Sequence, residues 1–360
     1  MRILALTPTP DRPEAAILAG LARGGAHVHV VGSPAQLQRD LLTQSGVSIT
    51  DFVFRSRFDL RGMRLIRSLV RQHEIDLVYA LTNRALSTAV IGLTGLPVKL
   101  VAYRGTVGHL SWFDPSCWLT YLNPRVHMTL CVSQAVEDYM QSKGISPERL
   151  ALVYKGHDVA WYESPALKRA EFGIPEDAFV VGCTAVMRAV KGVDDLLAAV
   201  TMLLEEIPNL HLVLIGSIKD PEIQGHIDAF PRKDRLHLLG FREDATCLQR
   251  LADVTVMASK SREGLPKSII EAMAQGVPPV VTAVGGMPEL VGHGAAGLMV
   301  EPMNPASLAS GIRTLYRNAD YRHSLGIAAR QRITEAFNIN DSISRVEGIF
   351  STLCSGTHRS

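Results

Sequence analysis

The stretch from Ala258 to Pro278 reads ASKSREGLPKSIIEAMAQGVP, and it decides the assignment of the fold. A strand is predicted to end near Ala258 and a helix to begin near Pro266, because proline suits the first helical turn, where its missing N–H has no partner. Gly264 lets the backbone come close to a ligand. The unpaired N–H groups at such a helix start form an anion site that suits a phosphate.

Two carboxylates flank this helix start. Glu263 precedes the helix, and Glu271 lies about a turn and a half inside it, so a spacing of eight puts them on a similar side at different depths. One carboxylate can accept from sugar hydroxyls and the other from ribose hydroxyls, which suits a nucleotide-sugar. Taken alone the spacing is a weak signal, and a capping Glu263 with a solvated Glu271 is the alternative.

On both sides of this stretch, short apolar runs alternate with segments of helical period. The predicted strands are Arg2–Thr7, His27–Val31, Ile49–Phe54, Leu77–Leu81, Val98–Tyr103, Met128–Val132, Leu150–Tyr154, Val180–Thr184, Leu210–Ile215, Leu236–Leu239, Val254–Ala258 and Val280–Thr282. The helices predicted between them include Pro13–Arg23, Ser133–Ser142, Val193–Glu206, Glu243–Leu251 and Lys267–Gln275. Apolar strands that alternate with helices indicate a parallel sheet covered on both faces.

Two such runs predict an α/β protein with two doubly wound, Rossmann-like domains. We expect the first domain over residues 1–160, a linker within Gly156–Pro175 and the second domain over residues 176–338. The remaining residues, 339–360, have a helical period at Asn340–Cys354 without a following strand, and this helix is expected to return toward the first domain. Ligands of such sheets bind beyond the carboxyl ends of the strands, so the expected site is a cleft across which the two domains face each other.

Composition limits the class of protein. The chain has 360 residues, of which 47% are apolar and 20% charged, and this is typical of a globular protein with about two domains. A net charge of +2 disfavours a protein that packages nucleic acid. Five scattered cysteines without a CxxC motif, no apolar leader and no long apolar run predict a location in the reducing cytoplasm.

Several common motifs are missing from the sequence. The first predicted strand is followed by Thr7–Asp11 rather than by GxGxxG, which disfavours a dinucleotide-binding domain. There is no GxxxxGK[ST], no GxSxG and no HExxH, so a P-loop, a serine hydrolase elbow and a catalytic zinc have no support.

The stretch at 258–278 resembles the nucleotide-sugar motif of glycosyltransferase family 4, the retaining enzymes of GT-B fold. The resemblance continues in order on both sides, through Lys191-Gly192 upstream and through Gly285-Gly286 and Gly297-Leu-Met-Val downstream, and it is dense from about Val180 to Val300. It implies transfer of a sugar from a nucleoside-diphosphate sugar with retention of configuration. The expected acceptor is a glycan, a lipid-linked molecule or a small molecule, and the expected pathway is bacterial polysaccharide or glycoconjugate synthesis.

The resemblance also implies roles for individual residues. Lys191 and Arg188 are expected to bind the diphosphate, although the family's arginine usually lies five residues before the lysine, where this chain has Val186. Glu263 is expected at the transferred sugar and Glu271 at the ribose. The donor is expected to contact the helix start through Gly264, Leu265, Pro266 and Lys267. No Asp-x-Asp is available for the diphosphate, so we expect a metal-independent enzyme with no cofactor besides its donor.

The first half departs from the family pattern. The loop after the first strand lacks the family's glycines, and Glu14 is its candidate for donor contact. Arg104 takes the place of a histidine that contacts the donor sugar, and His109 follows five residues later; either can reach the sugar. The alternative is that Arg104 pairs with an acid and His109 is a loop residue. The aromatic segment 111–118 is a platform for sugar or lipid or else part of the core.

Positive charge is concentrated in the first half. Residues 1–160 hold 17 basic and 12 acidic residues, whereas the remainder is net acidic. From Leu60 onward a helix is predicted in which Arg61, Arg64, Arg67 and Arg71 share one face. Such a face can bind an anionic membrane surface at the cytoplasmic side, and a solvated face is the alternative.

Two other functions remain open from the sequence. A relative of the same fold without transfer activity, such as a nucleotide-sugar epimerase, would need an acid and a base in the cleft, and no clear pair is evident. An inactive binding subunit would explain the altered first loop and Arg104, but the intact Glu263, Glu271 and Lys191 argue against it.

Overall fold

The computed structural model of the chain describes residues 1–163 and 167–355. Contacts divide it into two compact units, one of Met1–Gly156 with the segment that begins at Phe337, and one of His157–Ala336. Each unit contains a parallel β-sheet whose strands alternate with helices along the chain. The predicted fold class, two doubly wound α/β domains, is confirmed.

The first unit has a seven-stranded sheet in the order β3-β2-β1-β4-β5-β6-β7. Its elements are β1 (Arg2–Leu6), α1 (Arg12–Arg23), β2 (His27–Val31), α2 (Gln36–Gln44), β3 (Ser48–Thr50), α3 (Leu60–Gln72), β4 (Leu77–Ala80), α4 (Asn83–Gly92), β5 (Lys99–Arg104), α5 (Pro115–Trp118), β6 (Met128–Cys131), α6 (Gln134–Ser142) and β7 (Leu150–Leu152). The central strands are almost entirely buried, as expected for a parallel sheet with helices on both faces.

The second unit has a six-stranded sheet in the order β10-β9-β8-β11-β12-β13. Its elements are β8 (Phe179–Thr184), α7 (Val193–Leu203), β9 (Leu210–Ile215), α8 (Pro221–Asp228), β10 (Leu236–Gly240), α9 (Ala245–Leu248), β11 (Val254–Met257), α10 (Lys267–Ala274), β12 (Pro279–Thr282), α11 (Met287–Leu290), β13 (Leu298–Val300), α12 (Pro305–Arg317) and α13 (Ala319–Ala336). The strand order reverses between β8 and β11, and the loops after these strands therefore lie where such sheets bind ligands.

The last helix, α14 (Ile339–Ser355), belongs to the first unit. The Phe350 ring packs edge-on against Tyr79 of β4, with ring centroids 5.3 Å apart. The Ser342 hydroxyl donates to the Tyr154 carbonyl at 2.7 Å, just beyond β7. The chain thus passes from the first unit to the second after Gly156 and returns at Phe337, and residues 164–166 of the predicted linker lie outside the described residues.

The elements differ from the predicted ones at the edges of the sheets. The strand predicted over Ile49–Phe54 pairs only over Ser48–Thr50, because the following residues leave the sheet to pack Phe54 beneath α3. The three-residue edge strand β13 was not among the predicted strands. None of the helices in the described part of the chain is both long and apolar enough to cross a membrane.

The arginine face of α3 also differs from the prediction. Arg61, Arg64 and Arg71 are exposed, but Arg67 is only half exposed. Its guanidinium donates to the carbonyls of Gly92 and Thr94 at 2.9 and 2.8 Å. Arg67 therefore binds the C-terminal end of α4, where a cation offsets unpaired carbonyls, and it is not part of the solvated face.

Candidate functional site

The signature stretch occupies the end of β11, the loop after it and α10. Pro266 is the N-cap of α10, and the helix begins at Lys267, the first residue of the predicted helix Lys267–Gln275. Lys267 and Ser268 occupy the first turn, where backbone N–H groups have no partner within the helix. The anion site that the sequence predicts would lie at this helix start, in the segment after β11.

Glu263 lies buried in the loop before this helix. Its Oε1 accepts from Lys191 Nζ at 2.5 Å and from the Ser259 hydroxyl at 2.6 Å. Lys191 lies in a single 3-10 turn (Ala189–Lys191) after β8, 72 residues earlier in the chain. The structure thus brings together the two residues that the resemblance places at the sugar and at the diphosphate.

Two glycines fix the backbone of the Glu263 loop. A Cβ at Gly192 would lie 1.9 Å from the Ala258 carbonyl oxygen, and a Cβ at Gly285 would lie 2.0 Å from that of Glu263. Both glycines have positive φ, of 64° and 55°, which other residues rarely adopt. The loop is therefore packed between two backbone turns that tolerate no side chain.

Lys260 ties the same loop to the start of α7. Its backbone N–H donates to the Val190 carbonyl at 2.9 Å, and its ammonium lies 2.5 Å from Asp194 Oδ2 and 3.7 Å from Asp195 Oδ2. Burial, with the neighbouring charge of Asp194, raises the pKa of the Asp195 carboxyl above its usual value. Lys191 and Glu263 are thus held by a second ion-pair cluster next to them.

A pocket of about 380 Å³ opens beside the helix start. The residues predicted from the sequence to bind the donor that line this pocket are Lys191, Pro266, Lys267 and Glu271. The Glu271 carboxylate is buried, and Lys267 Nζ lies 3.3 Å from its Oε1. The pocket therefore combines a lysine, the first turn of a helix and a buried carboxylate, which can bind an anion and accept hydrogen bonds from hydroxyl groups.

Sequence reasoning missed the far wall of this pocket. Thr184 ends β8, Gly216 and Ser217 follow β9, and Phe241 and Arg242 follow β10. Each comes at the carboxyl end of a strand that the sequence predicted. The signal that could have identified them is therefore the rule that ligands bind at strand ends, applied to every strand rather than to the motif alone.

Arg188 is exposed at the N-cap of the 3-10 turn that carries Lys191. It forms no salt bridge with any residue that the structure describes, and the residues around the pocket do not include it. Its role at the diphosphate stays a prediction.

In the first unit, Glu14 belongs to a buried ion-pair group. Lys155 Nζ lies 2.7 Å from both Glu14 Oε1 and Asp11 Oδ2. Asp11 and Glu14 also form a capping box at the start of α1. Burial raises the pKa of the Glu14 carboxyl, and the charge of Lys155 opposes that rise. The carboxylate thus has internal partners, and donor contact by Glu14 stays a prediction.

Arg104, at the end of β5, is buried, and its guanidinium binds the loop that follows it in the chain. Its Nε donates to the Thr106 carbonyl at 3.0 Å, its Nη2 donates to the Gly108 carbonyl, and its guanidinium lies 4.6 Å from the centre of the Tyr121 ring. The guanidinium thus donates to backbone carbonyls and not to the acid that the alternative predicted. His109 is exposed in the same loop with a φ of 58°. Contact of Arg104 or His109 with the donor sugar stays a prediction.

Comparison with protein families agrees with this architecture. The model described as Glycosyltransferase Family 4 matches residues 15–161, and the model described as Glycosyl transferases group 1 matches residues 166–332. Together they match most of the chain, one in each unit. The chain belongs to the family 4 glycosyltransferases, as the resemblance predicted.

Individual relatives are more distant. The chain is 28% identical over 185 residues to N-acetyl-alpha-D-glucosaminyl L-malate synthase of Bacillus anthracis, covering 51% of this chain and 48% of that protein. It is 30% identical over 207 residues to D-inositol 3-phosphate glycosyltransferase of Corynebacterium efficiens, covering 54% of this chain and 49% of that protein. The chain spans about half the length of these curated relatives.

Solved structures show that the whole fold is shared. HepE of Anabaena in complex with UDP superposes with a TM-score of 0.80 at 23% identity, over 98% of this chain and 100% of that one. A glycosyltransferase of Rickettsia africae superposes with a TM-score of 0.83 at 17% identity, over 100% of this chain and 99% of that one.

Proposed function

We propose that this protein is a retaining glycosyltransferase that takes a sugar from a nucleoside-diphosphate sugar. The observation that carries the proposal is the pocket in which Lys191, the first turn of α10 and the buried Glu271 converge. HepE, which shares the fold, is described in complex with UDP and with UDP-glucose, which supports a nucleoside diphosphate as the ligand class.

In this proposal the diphosphate binds at the start of α10. Lys191 Nζ has three hydrogens, so it can donate to Glu263 and to a phosphate oxygen at the same time. The N–H groups of Lys267 and Ser268 bind the remaining oxygens. As the sugar–phosphate bond breaks, negative charge grows on the leaving diphosphate, and these fixed donors stabilise it.

The two carboxylates accept from hydroxyl groups. Glu271 lines the pocket and binds the ribose, whereas Glu263, fixed by Ser259 and Lys191, binds the transferred sugar. The leaving phosphate takes the acceptor proton, so the reaction requires no protein base. We expect no metal ion, because the sequence has no Asp-x-Asp to bind one at the diphosphate. Membership of this family supports retention of configuration.

The acceptor is a glycan, a lipid-linked molecule or a small molecule, in bacterial polysaccharide or glycoconjugate synthesis. We propose that the enzyme reaches it at the cytoplasmic face of a membrane, because the basic excess lies in residues 1–160.

Release of nucleoside diphosphate from a panel of nucleotide-sugars tests the proposal, with water as the acceptor so that the natural acceptor is not needed. Lys191→Met is expected to lower turnover by about 10²–10³, the usual effect of losing one electrostatic donor. Glu271→Gln is expected to raise KM more than it lowers kcat. Lys219→Met, at an exposed position outside the pocket, is the matched control.

Chelator should leave turnover unchanged, and the product should keep the anomeric configuration of the donor by NMR. A folded Lys191→Met protein with unchanged donor kinetics would refute the phosphate site. Inversion at the anomeric carbon would refute retention. Interconversion of donor sugars without release of diphosphate would indicate an epimerase.

A further inference from the structure

The side chain of Gln249 is buried without a partner in the protein. Gln249 opens the short 3-10 turn Gln249–Leu251, which connects α9 to β11. The residue is 3% exposed, and neither its Oε1 nor its Nε2 has a hydrogen-bond partner among the residues that the structure describes. Buried amides in proteins are nearly always hydrogen-bonded to protein or to ordered water. This side chain therefore indicates a ligand that the chain itself does not supply.

A small cavity adjoins this side chain inside the second unit. Besides Gln249, it is lined by Thr184 of β8, by Thr255 of the neighbouring strand β11 and by apolar residues of the sheet. Its volume is about 10 Å³, which is about the space that one water molecule needs. A buried water makes about three hydrogen bonds, and the amide and the two threonine hydroxyls can provide them. The cavity thus has the size and the polarity of a site for a single water.

The cavity adjoins the pocket of about 380 Å³ beside α10, here called the donor pocket. Thr184 and Ile215 line both the cavity and the donor pocket. Ala245 lines the donor pocket and precedes Gln249 by four residues in consecutive helical turns, so the two residues lie on the same helical face. The two spaces therefore share a wall, and Gln249 lies behind it.

This shared wall belongs to the part of the donor pocket that the proposed donor leaves for its nucleobase. In the proposed complex the diphosphate binds Lys191 and the start of α10, and the ribose binds Glu271. The base is then left with the far wall, which is formed by residues at the ends of β8, β9 and β10 and includes Thr184. The edge of every nucleobase carries hydrogen-bonding groups in the plane of the ring. A hydroxyl on this wall can bind such an edge if its hydrogen points in a fixed direction.

We propose that Gln249 positions the nucleobase of the donor through one buried water. The amide binds the water, the water fixes the direction of the Thr184 hydroxyl, and this hydroxyl contacts the edge of the base. Gln249 is then a positioning residue, because it acts through the water and Thr184 rather than by touching the donor. The inference rests on the proposed function for the presence of a nucleotide, and it adds a group that distinguishes one base from another.

Calorimetric titration with UDP, ADP, GDP and dTDP, and with pyrophosphate, tests the inference, because pyrophosphate has no base. Gln249→Leu is expected to weaken binding of the tightest of the four nucleotides about fivefold, the usual effect of one lost hydrogen bond, and to leave pyrophosphate binding unchanged. Thr255→Val is expected to weaken the same nucleotide about twofold. Since Thr255 lines the cavity but not the donor pocket, this effect can reach the nucleotide only through the cavity. Gln331→Leu, the same change at an exposed position of α13, is the matched control and should bind all five ligands as the wild type does.

Thermal melting without ligand separates this role from a structural one. Leucine is close to glutamine in size, and the substitution removes an amide that has no partner among the described residues, so Gln249→Leu should not lower the melting temperature. If Gln249→Leu fails to fold, Thr255→Val gives the same comparison of nucleotide with pyrophosphate. A crystal structure with bound nucleotide should show a water within hydrogen-bond distance of the Gln249 amide and the Thr184 hydroxyl.

The inference is wrong if a folded Gln249→Leu protein binds every nucleotide as the wild type does, or if it loses affinity equally for nucleotides and pyrophosphate. A crystal structure in which the Gln249 amide bonds only to protein groups would also overturn it. Hydrolysis of nucleotide-sugars by the wild type tests the proposed function separately. Weaker nucleotide binding in Gln249→Leu without any hydrolysis by the wild type would refute the transferase and leave the base contact standing, whereas a wild type that binds none of the four nucleotides would refute both.

Discussion

Replacing Lys260 by methionine tests how the loop that carries Glu263 is held. The Lys260 ammonium neutralises Asp194 and Asp195, and each of these carboxylates has one buried oxygen without a hydrogen-bond partner among the described residues. Methionine keeps the backbone hydrogen bond to Val190 but leaves two neighbouring carboxylates without a cation. The substitution therefore removes the charge of Lys260 while leaving its backbone hydrogen bond in place, so its effect on stability reports the charge alone.

The expected loss of stability is about 2 kcal/mol at pH 8. Removing one partner of a fully buried ion pair costs about 3–5 kcal/mol. The Lys260 side chain is 27% exposed, so water screens part of this interaction and the value falls below that range.

The loss should depend on pH in a defined direction. The pKa of Asp195 is already raised in the folded protein, and removing Lys260 raises it further. A carboxyl with a raised folded pKa takes up a proton more readily when folded, so its destabilisation is present at high pH and shrinks as pH falls toward the ordinary aspartate value of about 4. The deficit of Lys260→Met should therefore be smaller at pH 5 than at pH 8.

Urea denaturation followed by circular dichroism measures this difference, with Lys219→Met as the matched control. Adding Asp195→Asn to Lys260→Met should restore much of the lost stability, because only one carboxylate then remains. Equal urea midpoints for Lys260→Met and wild type at pH 8, or a deficit that does not change with pH, would refute the reasoning.

Three further perturbations have outcomes that the structure predicts. Gly285→Ala should abolish donor binding and lower the free energy of unfolding by more than about 2 kcal/mol in a thermal melt, because the new Cβ would overlap the backbone of the Glu263 loop. Gly173→Ala is the control: Gly173 also has a positive φ, of 69°, but open space for a Cβ, so this change should lower the free energy of unfolding by only about 1 kcal/mol. Arg67→Met should destabilise the protein by about 1–2 kcal/mol in urea, whereas Arg64→Met should change it little, since only Arg67 binds carbonyls. Burial, then the charges of Lys99 and Arg125, lowers the pKa of His127 to about 4, so stability should fall by about 1–2 kcal/mol between pH 7 and pH 4, and His127→Gln should remove that slope.

The sequence predicted the parts of the site that depend on local chain geometry. The start of α10 follows from proline and the preceding loop, and the buried strands follow from continuous apolar runs. The family resemblance placed Lys191 and Glu263 at the same donor but did not predict that they pair, and no spacing rule relates residues 72 positions apart. The resemblance thus indicated which distant residues share a site, whereas periodicity indicates only local structure.

The sequence did not predict partners that are set by how distant elements pack. In the sequence, nothing distinguishes Arg67 from the other arginines of its helix face. In the structure, the carbonyls of Gly92 and Thr94, at the end of α4, lie beside it. Arg104 takes a position expected for a sugar contact, yet its guanidinium is bonded to the loop that follows. In both cases the arginine pairs with backbone carbonyls, which have no residue-type signal in the sequence.

The lysines of the candidate site are balanced by neighbouring carboxylates. Lys191 is balanced by Glu263, Lys260 by Asp194, and Lys267 by Glu271, so these lysines contribute little net positive charge before a ligand binds. In the proposed donor complex we therefore expect the N–H groups at the start of α10 to attract the diphosphate, and a contribution from Arg188, which forms no salt bridge among the described residues, stays a prediction. Arg188 stands three rather than five residues before Lys191, but its exposure leaves the guanidinium able to turn toward an anion. The paired lysines then act after binding, because each can share its remaining hydrogens with phosphate oxygens without leaving its carboxylate uncompensated.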